Sequence, residues 1–190
     1  DLIDELFDQL NRGVELLDNE PLLQMYFYSY GQMHAEKLMY AFKQLSPYIK
    51  SAEKISIVDY GCGQGLATMC YHDFIKGCNL KQKVRSITLI EPSALALSRA
   101  ELLCDCFFPE ATITAIQKGF DELLEDDIRI DKDCPTLHLF SNILDVESYG
   151  IAPLADKIKA SCQGDNDFVI VSPMQNAKRI SRLTEFLDFL

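Results

Sequence analysis

The stretch that decides the fold is residues 58–65, VDYGCGQG, which joins a run of β-branched residues to a predicted helix. The run before the turn, residues 55–58 (ISIV), is short and apolar, as expected of a buried parallel strand. Gly61, Gly63 and Gly65 occupy alternate positions and leave the backbone of the turn without side chains. A ligand can approach such a backbone closely. In open α/β sheets, ligands bind beyond the carboxyl ends of the strands, so we predict a ligand site at this turn.

Strands and helices continue to alternate along the rest of the chain. The predicted strands cover residues 84–90, 111–116, 136–140 and 168–171, and the predicted helices cover residues 66–76, 92–107, 151–160 and 177–190, with a short helix or turn at residues 120–125. This alternation predicts an α/β protein with a Rossmann-like, mostly parallel sheet and helices on both faces. Residues 1–50 instead show helical spacing of apolar residues, with breaks at Pro21 and Pro47, and Gly31 could interrupt this pattern. We therefore predict an N-terminal helical segment, residues 1–50, followed by a Rossmann-like domain, residues 51–190.

Composition and charge restrict the function classes. Of 190 residues, 48% are hydrophobic and 25% are charged, which is typical of a folded globular chain. The 18 basic and 29 acidic residues give a net charge of −11, which disfavours nucleic acids and anionic membrane surfaces as partners. No apolar run approaches the roughly 20 residues that span a bilayer. The seven cysteines include no Cys-x-x-Cys pair, which favours reduced thiols in a cytoplasmic protein and no metal site.

The glycine turn departs from two common nucleotide-binding motifs. A dinucleotide fingerprint, G-x-G-x-x-G/A, needs a small last residue, but Leu66 or Thr68 stands there, counted from Gly61 or Gly63. A P-loop needs Gly-Lys-Ser/Thr, which the chain lacks. The remaining pattern, D-x-G-x-G-x-G, begins at Asp59 and disfavours a nicotinamide dehydrogenase.

This pattern resembles the first motif of class I S-adenosyl-L-methionine-dependent methyltransferases, and the resemblance extends over about residues 51–175. Glu91 ends the second predicted strand, 26 residues after Gly65. In that family such an acid binds the two ribose hydroxyls of the cofactor. Glu91 alone does not identify the cofactor, because an acid at similar spacing also suits a dinucleotide ribose. A solvated acid near a helix N-terminus is the remaining interpretation.

The resemblance implies a set of cofactor-binding residues, namely Asp59, Tyr60, Gly61, Cys62, Gly63, Gly65, Glu91, Pro92, Phe120 and Asn142. Phe120 either covers the adenine ring or belongs to the core, and Gln117 stands where the family more often has an acid. Asn142 follows the fourth predicted strand. In the family, the segment after this strand lies beside the methyl group and the acceptor. The Asn/Asp-Pro-Pro-aromatic motif of enzymes that methylate amino groups of nucleic-acid bases is absent, so that activity loses support.

The sequence contains no evident general base. The candidates for a catalytic role are Asn142 and Asp145 after the fourth strand, with Tyr30 and His34 in the N-terminal segment. In the family such a segment often folds over the cofactor and the acceptor as a lid, although aromatic residues at helical spacing are also typical of packing. We predict that His138, within the fourth strand, belongs to the core.

The resemblance implies a methyltransferase that converts S-adenosyl-L-methionine to S-adenosyl-L-homocysteine while methylating an unidentified acceptor. A small molecule, a protein and RNA remain open as acceptors, and the net charge of −11 tilts against RNA. The alternative is a catalytically inactive module with the same fold that binds the cofactor or another protein. The chain begins with Asp1, and a start without Met suggests a processed chain or a fragment. The family sheet usually ends with two further strands that this sequence does not show. We therefore expect a domain that is incomplete at its C-terminus.

Overall fold

The computed structural model describes residues 2–13, 15–128, 130, 132–173 and 176–189. Helices and strands alternate after an N-terminal group of helices, as predicted. The elements in chain order are α1 (Leu2–Gln9), a 3-10 helix (Asn11–Gly13), α2 (Glu20–Lys43), α3 (Pro47–Ser51), β1 (Lys54–Tyr60), α4 (Leu66–Gly77), β2 (Lys83–Ile90), α5 (Ala94–Phe107), β3 (Thr112–Ile116), a second 3-10 helix (Glu125–Asp127), β4 (Thr136–Ser141), α6 (Ile151–Ser161), β5 (Asn166–Val171) and α7 (Ala177–Phe189).

The five strands form one sheet in the order β3-β2-β1-β4-β5, and every neighbouring pair is parallel. The chain leaves β1 towards β2 on one side and later returns to β4 on the other side. The strand order therefore reverses beside β1, and the carboxyl end of β1 is the switch point at which α/β sheets bind ligands. The predicted Rossmann-like fold is confirmed.

Side chains of β1 alternate between the two faces of the sheet, as the period of a strand requires. Ile57 packs in the core beneath α2, α4 and α5, whereas Val58 and Tyr60 pack in the core beneath α6 and α7. Phe42 of α2 lies in the first of these cores, with its ring centroid 5.2 Å from that of Tyr71. The N-terminal segment thus shares its core with the sheet.

Helix boundaries follow local capping chemistry. The Asn19 side chain accepts a hydrogen bond from the Leu22 N–H (3.0 Å) at the start of α2, and the Ser93 hydroxyl accepts one from the Ala96 N–H (3.1 Å) at the start of α5. Gly31 does not interrupt α2, which is one 24-residue helix in which Gly31 is buried. The close approach of the Phe27 ring explains a glycine there, since a Cβ would lie 3.2 Å from it.

The three glycines of the turn all have left-handed backbones, with φ of +61° at Gly61, +52° at Gly63 and +83° at Gly65. A Cβ added to Gly65 would lie 3.2 Å from the Cα of Ala100 in α5. A Cβ added to Gly63 would meet no atom within 4 Å. Gly65 therefore allows α4 and α5 to pack closely, whereas Gly63 borders open space.

His138 of β4 is fully buried. The Asn166 amide donates from Nδ2 to the Gly164 carbonyl (3.0 Å), so its Oδ1 accepts from His138 Nε2 (2.9 Å). Nδ1 of His138 then accepts a hydrogen bond from the Tyr60 hydroxyl (3.1 Å). Burial lowers the pKa of His138 to about 4, so the ring is neutral at pH 7. The predicted core position of His138 is confirmed.

We predict that Gly65→Ala destabilises the protein more than Gly63→Ala. Both variants place a Cβ on a left-handed backbone, which costs roughly 1–2 kcal/mol. Only Gly65→Ala also forces a methyl group against helix backbone, which adds about 1–3 kcal/mol. Urea unfolding followed by circular dichroism measures the difference, and equal losses in the two variants would contradict the packing role of Gly65.

We predict that His138→Gln reduces the loss of stability on acidification. The unfolded chain binds a proton at this histidine near its ordinary pKa of 6.5, whereas the folded chain resists protonation until about pH 4. Wild-type stability should therefore fall relative to the variant as the pH falls from 6.5 to 4, by at most about 1.4 kcal/mol per pH unit.

Urea unfolding at several pH values tests this prediction. His72→Gln, at a half-exposed histidine of α4, is the control. If the wild type and His138→Gln lose the same stability on acidification, the interpretation of His138 as a buried neutral histidine is wrong.

Candidate functional site

A cavity of about 460 Å³ lies at the carboxyl edge of the sheet, where β1, β2 and β4 end. This volume is within the range of about 300–1,000 Å³ that small-molecule sites occupy. Six of the residues predicted to bind a cofactor line it, namely Gly61, Gly63, Glu91, Pro92, Phe120 and Asn142. The structure thus brings together residues from four separate segments of the sequence at the switch point of the sheet.

Glu91 connects the glycine turn to the start of α5. Its Oε2 accepts a hydrogen bond from the Gly63 N–H (3.0 Å), and its Oε1 accepts one from the Ser93 N–H (3.0 Å). Burial raises the pKa of the Glu91 carboxyl, and these two backbone donors oppose that rise. A carboxylate offers about four lone-pair sites, so Glu91 retains acceptor capacity at the cavity wall.

The four other residues predicted to bind a cofactor, Asp59, Tyr60, Cys62 and Gly65, do not line this cavity. The side chains of Asp59, Tyr60 and Cys62 lie among buried residues. Gly65 has no side chain, and the space beside it is also enclosed by buried residues. The Asp59 Oδ2 accepts a hydrogen bond from Thr68 (2.8 Å), its Oδ1 has no partner, and burial raises its pKa to about 7. The Tyr60 ring stacks on Phe140 at 4.4 Å. Asp59 and Tyr60 therefore support the turn from behind.

Phe120 is a core residue that also borders the cavity. Its ring is 7% exposed and packs edge-on against Tyr149, with ring centroids 4.7 Å apart, so it belongs to the core beneath α6 and α7. It also lines the cavity. Phe120 and Tyr149 thus contribute apolar ring surface to the wall of the cavity.

Acidic side chains dominate the charge of the cavity wall. Four carboxylate residues line it, namely Glu15, Glu91, Asp121 and Glu122. Lys118 also lines the cavity, and its Nζ is 2.7 Å from the carboxylate of Asp127. The wall therefore favours a ligand with positive charge.

A second cavity of about 300 Å³ adjoins the first, and the two share Gly13, Tyr26, Asn142 and Val146. The four residues predicted as catalytic candidates, Asn142, Asp145, Tyr30 and His34, all line this second cavity. The structure therefore brings the N-terminal segment and the end of β4 together around one space.

Asn142 lies at the boundary between the two cavities, and its backbone is left-handed, with φ of +57°. Its N–H donates to the Val171 carbonyl (2.6 Å), and its side-chain amide donates to the Ser141 hydroxyl (3.1 Å). Such a backbone is strained for a residue other than glycine, and strain of this kind clusters at functional sites.

Burial shifts the pKa values of three groups around the second cavity, His34, Tyr26 and Asp145. Burial, aided by the charge of Lys37, lowers the pKa of His34 to about 4. Burial raises the pKa of Tyr26 to about 12, so its phenol stays protonated. Burial also raises the pKa of Asp145, although Oδ2 of this residue lies 3.2 Å from the Arg179 guanidinium.

The sequence analysis missed the loop before α2 as part of the site. Gly13, Leu16 and Leu17 line the first cavity, and the Leu17 carbonyl accepts a hydrogen bond from the Ser93 hydroxyl. Gln64 donates a hydrogen bond to the Leu23 carbonyl (2.9 Å), which ties α2 to the glycine turn. No motif marks these contacts, because carbonyl oxygens carry no sequence signal.

Three further observations concern the part of the chain that the structure describes. No three His, Cys, Asp or Glu side chains converge there as a metal site. All seven cysteines are free thiols. Among the described helices, none has both the length and the apolar character needed to cross a membrane.

No family model and no curated protein matches this chain. Solved structures do match its fold. The DszA carbon methyltransferase has a TM-score of 0.55 and 13% identity, over 97% of this chain and 49% of its own. A candidate S-adenosyl-L-methionine-dependent methyltransferase from Methanococcus maripaludis has a TM-score of 0.54 and 11% identity, over 92% and 75%. The plantazolicin methyltransferase BpumL, in complex with a monoazolic desmethylPZN analog and S-adenosyl-L-homocysteine (SAH), has a TM-score of 0.51 and 17% identity, over 100% and 74%.

The chain thus spans about half the length of DszA and about three quarters of the other two proteins. At these identities the similarity concerns the fold. The five-stranded parallel sheet and the N-terminal helices lie in a chain of which 97% and 92% are covered by the DszA and Methanococcus maripaludis matches. The chain has the Rossmann-like fold of the class I S-adenosyl-L-methionine-dependent methyltransferases.

Proposed function

We propose that this protein is a methyltransferase that binds S-adenosyl-L-methionine in the first cavity and its methyl acceptor in the second. The observation that carries this proposal is the hydrogen bond between the Glu91 carboxylate and the Gly63 N–H, at a turn that borders open space. This contact places an acceptor for hydroxyl groups next to a backbone that a ligand can approach.

The residues of the first cavity fit this cofactor. A Cβ on Gly63 would project into empty space, so the space beside the turn is available to a ligand. Glu91 would accept hydrogen bonds from the ribose hydroxyls, and Phe120 would cover the adenine ring. The excess of carboxylates suits a cofactor with a positively charged sulfur.

When bound, the cofactor supplies an electrophilic methyl group on a cationic sulfur, and SAH is the neutral thioether product. The protein contributes orientation, because Tyr26 and Asn142 stand between the two cavities and restrict how the reactants meet. The Tyr26 phenol can donate a hydrogen bond but cannot take a proton at pH 7, and His34 is a weak base. The site therefore suits an acceptor atom with an available lone pair and no need of a strong base.

The N-terminal segment, residues 1–50, is proposed as a lid on both cavities. Leu16 and Leu17 lie in the wall of the first cavity, and Tyr30 and His34 lie in the wall of the second. Closure by these side chains would exclude water from the methyl group. All seven cysteines are free thiols, which supports the cytoplasmic location that the sequence predicts.

The SAH bound to BpumL supports a cofactor of this class in proteins of this fold. The alternative, an inactive module that binds the cofactor or another protein, keeps the first cavity and loses turnover. Incubation of the protein with S-adenosyl-L-methionine carrying a labelled methyl group, in separate metabolite, protein and RNA extracts, distinguishes the two. Labelled product supports the methyltransferase, and cofactor binding with no labelled product supports the module.

We predict that Gly63→Ala weakens SAH binding at least about tenfold, because its methyl group would occupy ligand space, while the protein stays folded. Isothermal titration calorimetry measures the dissociation constant. Gly77→Ala, whose Cβ also meets no atom within 4 Å, lies at the end of α4 and is the control. Unchanged affinity in Gly63→Ala would contradict the role of the turn.

We predict that Glu91→Gln weakens SAH binding by about 1–3 kcal/mol, because the amide is neutral and replaces one of the two acceptor oxygens with a donor NH2 group. Glu101→Gln, at an exposed position of α5, is the matched control. Titration with NAD in parallel tests the cofactor class. An unchanged dissociation constant for SAH, or binding of NAD alone, would overturn the assignment.

A further inference from the structure

The second cavity differs in charge from the rest of this acidic protein. Two cationic residues, Lys37 and Arg179, line it, and Asp145 is its one carboxylate residue among the described residues. The Asp145 carboxylate pairs with the Arg179 guanidinium at 3.2 Å. His34 is neutral at pH 7 because its pKa is lowered to about 4. One positive charge, that of Lys37, is therefore left without a compensating carboxylate in the cavity wall.

Lys37 is half-buried on α2, next to this space. Among the residues that the structure describes, no carboxylate forms an ion pair with its ammonium group. The protein carries 29 acidic residues and a net charge of −11, so an unpaired lysine beside a cavity is not explained by a shortage of carboxylates. An ammonium group without a counterion, at the wall of a cavity, gains from binding an anion.

Apart from Asn142, the remaining side chains in the wall of the second cavity are aromatic or apolar. The Tyr30 ring stacks on the His34 imidazole, with centroids 5.8 Å apart and planes 11° apart, and the Tyr26 ring lies 5.4 Å from Tyr30. Met33, Val146 and Pro173 complete this part of the wall. The volume of about 300 Å³ limits the ligand to a small molecule.

We propose that the second cavity binds a small carboxylic acid with an aromatic or apolar body, and that the Lys37 ammonium holds its carboxylate. A monoanion matches the single uncompensated charge, whereas a phosphate would bring two negative charges into a cavity that also holds Asp145. This inference rests on the proposed function only in naming the acid as the methyl acceptor. The body of the acid would lie between Tyr26 and Asn142, at the boundary with the first cavity.

The test uses three probes that share a benzyl group and differ in charge: phenylacetate, phenylacetamide and phenethylamine. The acid and the amide also share one shape. Each is titrated by calorimetry into the protein saturated with SAH. We expect phenylacetate to bind at least about tenfold more tightly than the amide and the amine, as the loss of a charge-assisted contact implies. Lys37→Gln should remove this preference, and Lys37→Arg, which keeps the charge, should retain most of it.

Lys43→Gln is the matched control, because Lys43 lies on the same helix, is exposed and lines neither cavity. It should leave the preference for phenylacetate unchanged. Equal binding of acid and amide, binding of no probe, or a preference that survives in Lys37→Gln would overturn the inference.

The dissociation constant of SAH, measured first for each protein, separates this inference from the proposed function. If SAH binds and the preference is absent, the acidic ligand is wrong and the cofactor assignment stands. If SAH does not bind but the protein prefers phenylacetate through Lys37, the proposed function fails and the anion site stands.

Discussion

The Glu91 carboxylate holds the end of β2 against the turn after β1, and the rest of the site depends on this contact. Its two oxygens accept hydrogen bonds from the Gly63 and Ser93 N–H groups, so one side chain fixes both the glycine turn and the start of α5. Burial of the carboxylate would be costly without these donors. The same arrangement leaves lone pairs at the wall of the larger cavity, where a hydroxylated ligand can use them.

A second layer of contacts connects the N-terminal helices to this centre. Ser93 caps α5 through its hydroxyl and also donates to the Leu17 carbonyl, and Gln64 donates to the Leu23 carbonyl. These bonds use residues adjacent to Glu91 and Gly63. They therefore attach the turn and the start of α5 to the N-terminal segment, which lines both cavities. The position of Tyr26 at their common boundary follows from this attachment.

Local sequence patterns predict the sheet and the turn because both depend on residues that are close together in the sequence. The β-branched runs of β1 and β2 and the glycine spacing at Gly61, Gly63 and Gly65 are short-range signals. The sequence does not separate the roles of these glycines, however. Gly63 borders open space, whereas a Cβ at Gly61 would come within 2.7 Å of Ile143 and one at Gly65 would approach α5. These neighbours come from distant parts of the chain.

The second cavity could be predicted only in part. The resemblance predicts its catalytic candidates, because in the family the segment at Asn142 lies beside the acceptor and the N-terminal segment folds over the acceptor. Lys37 carries no motif, and its isolation is visible only once the pairing of Asp145 with Arg179 is known. Similarly, Asp59 looks like a ligand-facing acid in the sequence, but in the fold it lies behind the turn on Thr68.

A crystal structure of the protein grown with SAH would show whether the larger cavity binds the cofactor through Glu91. We expect density for the adenosyl group in this cavity, with the ribose hydroxyls within hydrogen-bonding distance of Glu91 and the thioether sulfur facing Tyr26 and Asn142. Density elsewhere on the protein, or an adenosyl group that leaves Glu91 without a hydroxyl partner, would contradict it.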